Sequence, residues 1–262
     1  MGDASIIGHG LSHHYALLVA YAATMLCWDR VARRFSNLWP TPTPVFFAHP
    51  WREVGFFAIA LALVLGIGQL FVRKWLLPSH GPLSPLVDAL NQLIIFAPIV
   101  VLQLVRRQSW DSAWLPSRRV WARVLAGLVL SLIASLIFTS VRSGSAPWIG
   151  VLQQVYHPRN AGNLVQVLCE DVAIAILFVR LRAALGLGRT IVAVAVLFAA
   201  AHIPALLANG ASLGELSGLV LDAGLGVVVL FYLQKSGDVW WFWWVHFAMD
   251  MMQFYAVPGV SS

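Results

Sequence analysis

The sequence predicts an all-α protein, a polytopic transmembrane helical bundle of about eight spans. Three observations carry this. Hydrophobic residues make up 60% of the 262 residues and charged residues only 11%, with a mean hydropathy of +0.79. A soluble domain has about 25% charged residues, so this chain cannot cover its own surface in water. Eight apolar runs approach the roughly 20 residues that a spanning helix needs. The basic residues segregate between alternate connections, as a membrane topology requires. Disorder, coiled coil and collagen are excluded by the same composition.

The first run, about 12–28, carries His13 and His14 near its start. The second, 54–72, is uniformly apolar or small apart from Gln69. It follows a Pro-rich stretch, 40–50, that reads as a stiff loop. The third, 85–105, holds Asp88, Asn91 and Gln92 near its start, and the fourth covers 124–141. The fifth, 164–179, is short and contains Glu170 and Asp171. The sixth, 190–208, contains His202, and the seventh, 213–234, contains Asp222. The eighth, 239–256, contains His246 and Asp250.

Thirteen of the seventeen Lys and Arg residues fall before the second span or in the loops after the third, fifth and seventh. The positive-inside rule makes those connections cytoplasmic and both termini external. The basic balance, with a pI near 9.9, therefore marks topology and no nucleic-acid partner is expected. Trp28, Trp51, Trp75, Trp121, Trp240, Trp241, Trp243 and Trp244 lie at span ends, the place of an interfacial aromatic belt. Cys27 and Cys169 fall in apolar runs without a C-x-x-C, so neither a disulfide framework nor a structural zinc site is expected. No cationic n-region precedes the first run, which argues against a cleaved signal peptide.

Ionisable groups inside a span cost about 2.5–3.5 kcal/mol each on insertion scales and tend to face a protein interior or a cavity. Counting inward from the outer span ends at 1.5 Å per residue puts Glu170, His202 and Asp250 at about 9 Å and His246 at about 15 Å. These side chains are thus expected near one level in the outer half of the membrane. Phe198 and His202 are spaced i,i+4, as are His246 and Asp250, so each pair shares a helix face. Glu170 and the adjacent Asp171 point in different directions, one able to face a cavity and the other a neighbouring helix. Asp222 reads first as a packing or folding contact with a neighbouring span and only second as a functional group. A carboxylate in an apolar pocket beside a His can activate water, and two further polar groups can face a developing oxyanion. Glu170, His202 and His246 are also a chemically suitable set for a divalent metal such as zinc. His202 and His246 as axial haem ligands form a different reading.

Glu170-Asp171, the segment FAAAH from Phe198 to His202, and HFAMD from His246 to Asp250 resemble three motifs of the CPBP (Abi) family. This family includes the Rce1-type CAAX prenyl endopeptidases and bacteriocin-processing or immunity proteins. Its pattern is E-E-x-x-x-R, F-x-x-x-H and H-x-x-x-N/D, each on a separate transmembrane helix. The resemblance covers roughly residues 120–256. It implies that residues 1–120 supply N-terminal helices and the Pro-rich loop, and that 121–262 form a protease core. It implies Glu170 as general base with His202, His246 and Asp250 at the oxyanion, and Asp171 and Phe198 in support. It leaves a zinc-dependent and a metal-free glutamate mechanism both open. An ionised Asp250 cannot donate a hydrogen bond, so it is either protonated or orients His246. The sequence departs from the pattern twice: Asp171 replaces the second Glu, and Ala175 replaces the Arg, with Arg180 and Arg182 the nearest arginines. The implied activity is hydrolysis of a membrane-associated, lipid-anchored or exported protein within a bacterial inner membrane. A non-catalytic immunity, assembly or transport protein on the same scaffold is the alternative that the missing Arg favours.

Overall fold

The computed structural model describes residues 3–40, 42, 44–143, 148–208, 210 and 212–254. These residues are 81% helical, and no strand occurs among them. Ten α-helices follow in order: α1 Asp3–Arg34, α2 Pro50–Val72, α3 Ser84–Val105, α4 Val120–Ser143, α5 Trp148–Val155, α6 Ala161–Leu185, α7 Leu187–Ala201, α8 Ile203–Ala208, α9 Leu213–Ser236 and α10 Val239–Phe254. Short 3-10 turns occupy Trp110–Ala113 and Pro158–Asn160.

Each of the eight apolar runs coincides largely with helix among the described residues, and within those residues four segments are both long and apolar enough to cross a membrane: Pro50–Val72, Ser84–Val105, Val120–Arg142 and Leu216–Ser236. The others depart from a simple span for local reasons. α6 is long enough at 25 residues but carries Glu170, Asp171, Arg180 and Arg182. α10 has 16 described residues and α7 has 15. At 1.5 Å per residue these reach only about 22–24 Å, short of a ~30 Å hydrocarbon core. The expected single run 190–208 is broken. α7 ends at Ala201, His202 caps it, and a separate short helix begins at Ile203. Pro204 follows, and a proline has no N–H to continue the ladder and clashes with the preceding turn.

The chain divides into two compact units, each assembled from non-contiguous stretches. The first comprises residues 1–40, 119–157 and 240–262 and is built on α1, α4, α5 and most of α10. In it α1 packs along α4. The contact faces repeat at i,i+4: Ala16, Ala20 and Thr24 on α1, and Ser131, Ser135 and Thr139 on α4, all buried. Small side chains allow two helices to approach closely, as membrane helices commonly do. The hydroxyls are satisfied within their own helix: Thr24 Oγ1 donates to Ala20 O at 2.7 Å, Ser135 Oγ to Ser131 O at 2.9 Å and Thr139 Oγ1 to Ser135 O at 2.8 Å. Ser131 Oγ also lies 2.7 Å from Tyr156 Oη, which ties α4 to the end of α5.

Trp28 and Trp241 are a correction to the aromatic belt. Both are buried, with rings stacked at 5.0 Å and 10° between planes, and Trp39 packs edge-on to Trp28 at 6.2 Å. They are core residues of this unit, because a large flat ring gains more from burial against another ring than from one-sided exposure. Trp51, Trp75 and Trp121 are exposed, as a belt requires. Trp241 also sets the α4–α10 approach: a Cβ on Gly127 would lie 2.4 Å from Trp241 O. The obstacle is backbone, which cannot swing aside. Gly127→Ala is therefore expected to destabilise the protein by about 1–3 kcal/mol, the usual range for overpacking. A lowered midpoint of thermal unfolding in detergent checks this.

The second unit comprises residues 41–118 and 158–239. α3 packs against α2 and α6, α6 against α2 and α7, and α7 against α9. Gly162 lets the start of α6 meet α3, since a Cβ there would be 2.8 Å from Asp88 Cβ. Asn91, one of the polar residues of the third run, has a structural role. Its Oδ1 accepts from Leu77 N at 3.1 Å and its Nδ2 donates to Leu77 O at 3.0 Å, pinning the α2–α3 loop. Gly186, at φ +77°, separates α6 from α7 with no intervening loop. A left-handed residue at a helix end suits glycine, which carries no Cβ.

Candidate active site

The candidate residues are distributed over both units. Glu170, Asp171, Phe198, His202 and Asp222 belong to the second, and His246 and Asp250 to the first. Within each unit the i,i+4 pairings expected from the sequence make contact.

On α6, Asp171 is buried, at 1% exposure, while Glu170 is half-buried. The adjacent carboxylates thus point into different surroundings, as 100° of helical rotation requires. Gln166, one turn earlier, donates its Nε2 to Glu170 Oε1 at 2.8 Å. That bond restrains the carboxyl group's rotamer. Ala175, at the position where the resembled family has Arg, is fully buried. The packing of α6 there is closed around a methyl group.

His202 caps the end of α7 and is exposed. Its Nδ1 lies 2.9 Å from Phe198 O, and its ring meets the Phe198 ring edge-on at 4.9 Å. With Nδ1–H donating to that carbonyl, Nε2 carries the lone pair and can accept a proton. Phe198 therefore orients His202 with both its backbone and its ring.

On α10, His246 is buried and stacks on Phe242, one turn away, at 5.5 Å. His246 Nε2 lies 3.5 Å from Asp250 Oδ1. An aspartate beside a ring nitrogen favours the orienting role for Asp250 over direct donation to an oxyanion. Asp222 is half-buried on α9.

A catalytic zinc takes three protein ligands. No group of three or more His, Cys, Asp or Glu side chains in metal-binding proximity occurs among the described residues. No step below is routed through a metal.

One polar constellation escaped the sequence reading. Glu53 at the start of α2 is buried, and Arg106 at the end of α3 donates to it through Nη2 at 2.5 Å and Nε at 3.4 Å. Gln108 Nε2 donates to Glu53 Oε2 at 3.0 Å, the oxygen that also accepts from Arg106 Nε, and Gln108 Oε1 accepts from Arg180 Nη2. Arg180, fully buried on α6, also donates to Ile176 O at 3.1 Å and Gln103 Oε1 at 3.4 Å. Gln103 Nε2 then reaches Ser109 O and Ser112 Oγ, each at 2.8 Å. Gln103 inside an apolar run was the available signal. Its partners are scattered over 128 residues from Glu53 to Arg180, so no local pattern joins them.

Residues 161–252 match the family model for the type II CAAX prenyl endopeptidases, Rce1-like. The match runs from the start of α6 into α10 and includes all three motif segments. The resemblance read from the sequence is borne out over that stretch. No curated protein and no solved structure matches the chain. With four helices among the described residues apolar and long enough to span, the chain reads as an integral membrane protein, and its residues 161–252 are similar to the Rce1-like family.

Proposed function

We propose that this protein is an intramembrane endopeptidase that hydrolyses a peptide bond of a membrane-associated or exported protein. The observation that carries the reading is the family match, whose limits enclose Glu170, Asp171, Phe198, His202, His246 and Asp250. Glu170, held by Gln166, takes a proton from the attacking water. His202, with Nε2 basic, shares that proton and returns it to the leaving amine. His246, oriented by Asp250, faces the oxygen on which negative charge develops. Asp171 supports the α6 packing beside Glu170. The site opens in the outer half of a bacterial inner membrane, following the distribution of basic residues.

The test compares the termini of membrane proteins by mass spectrometry in cells carrying wild type, His202→Ala or His246→Ala. Each substitution is expected to reduce cleavage by about 10²–10³-fold, as loss of a proton-transfer group or an oxyanion donor does. Cleavage at the wild-type rate by both variants overturns the assignment. A second reading, a non-catalytic membrane partner, immunity or transport protein, rests on Ala175, whose buried methyl replaces the family's cation. No wild-type-specific terminus in that comparison favours it.

A further inference from the structure

The second unit contains a cavity of about 530 Å³ at the end of the helices where α2 begins and α3 finishes. Its volume is within the roughly 300–1,000 Å³ of small-molecule sites. Its walls are the segment from Pro44 to His49, the first turn of α2, and the residues from Arg106 to Ser112. It is a different place from Glu170, which lies ten residues back along α6 from Arg180, or about 15 Å at 1.5 Å per residue.

The charge around this cavity is unbalanced. Glu53 is already taken by Arg106 and Gln108. Arg180, directly behind the wall, donates to Gln108 and lies 5.8 Å from the Phe47 ring, and both of those residues line the cavity. Arg180 is wholly buried, and among the described residues it hydrogen-bonds to no carboxylate and its Nε has no hydrogen-bond partner. Arg52 lines the cavity with its guanidinium 5.3 Å from the Phe56 ring, and it makes no side-chain hydrogen bond or ion pair among the described residues. Arg106 lies over the same ring at 4.9 Å, so two cations converge on one phenyl group. Asp111, the only other carboxylate in the lining, is exposed and takes a 3.4 Å contact from Ser109 Oγ. Arg52 and Arg106 thus line the cavity with Arg180 behind its wall, against two carboxylates, of which Glu53 is consumed by Arg106.

The remaining features also suit an anion. The positive end of the α2 dipole opens here, and His49 at its N-cap makes no capping hydrogen bond. Phe46 beside it is 89% exposed and gives the mouth an apolar lip. Basic pockets between transmembrane helices on the positive side of a membrane take phosphate head groups.

We propose that this cavity binds a phosphate-bearing anion, held by Arg52, His49 and the N-terminus of α2, with the buried Arg180 supplying long-range positive potential. At this end of apolar helices the phosphate is that of an anionic phospholipid head group or a free phosphate. Guanidinium groups bind phosphate through charge-assisted hydrogen bonds, and Arg52 has its donors free for this.

The experiment uses the full chain in neutral detergent, titrated separately with dihexanoyl-phosphatidylglycerol, dihexanoyl-phosphatidylcholine and inorganic phosphate, and reads the shift of the unfolding midpoint. A ligand that binds only the folded state raises the midpoint with its concentration. Wild type is expected to respond to phosphatidylglycerol, and Arg52→Gln to weaken that response at least tenfold in apparent affinity. Arg52 is exposed and outside the Glu53 network, so this variant keeps the fold, and His49→Ala supplies an independent second variant. Response to the lipid alone identifies the head group as the source. An equal, Arg52-dependent response to inorganic phosphate identifies the free ion, and both results support the site. Equal response to phosphatidylcholine, no response to either anion, or a response that both variants retain overturns it.

Discussion

Glu170→Gln is expected to lower the rate of peptide-bond cleavage by about 10²–10⁴-fold, the contribution of a positioned general base. The substitution is nearly isosteric, and its remaining Oε1 can still accept from Gln166 Nε2 at the 2.8 Å now seen. Folding and membrane insertion should therefore match wild type, so loss of cleavage reports chemistry. Gln166→Ala is expected to have a smaller, several-fold effect, because it frees the carboxylate's rotamer while keeping the base. The measurement is the rate of appearance of new protein termini with equal amounts of each variant in the membrane. Wild-type cleavage by Glu170→Gln would remove Glu170 from the mechanism.

Glu53→Ala is expected to destabilise the protein by about 3 kcal/mol. Removing one member of a buried ion pair costs about 3–5 kcal/mol because the partner is left charged and unpaired. The low end applies here because the Arg106 side chain is 34% exposed and water can partly replace its partner. Gln108 would also lose its acceptor and with it the link between Glu53 and Arg180. Thermal unfolding in detergent measures this, and Glu53→Ala with Arg106→Ala together should recover part of the loss, since the pair then disappears as a unit. An unchanged midpoint for the single variant would mean that the network carries no net stability.

Helix positions were largely legible in the sequence because apolar runs and their interruptions are local. The i,i+4 pairs Phe198–His202 and His246–Asp250 were equally legible, and each is in contact. The Gln166–Glu170 bond has the same spacing and could have been read the same way. The break at His202 was also signalled, by Pro204, but the hydrophobicity of the surrounding residues outweighed it in the reading. Residue type alone did not separate the tryptophans. Trp28 and Trp241 occupy span ends just as Trp121 does, yet they are buried against each other while Trp121 is 85% exposed.

The sequence by itself determined the helical class, the membrane setting and the resemblance of three short motifs, because composition, period and spacing are properties of neighbours along the chain. The tertiary structure decided what only distant residues can decide. It made Trp28 and Trp241 a stacked core, made Gly127 a point of backbone contact with Trp241, and joined Glu53, Arg106, Gln108 and Arg180 into one part-buried network. The scarce charges of this chain are accordingly of two kinds. Some mark topology at helix ends, and others, Glu53 and Arg180 among them, are buried where partners from remote helices meet their hydrogen-bonding needs. A buried charge is tolerated only where such partners converge, and that convergence is set by packing, not by position in the sequence.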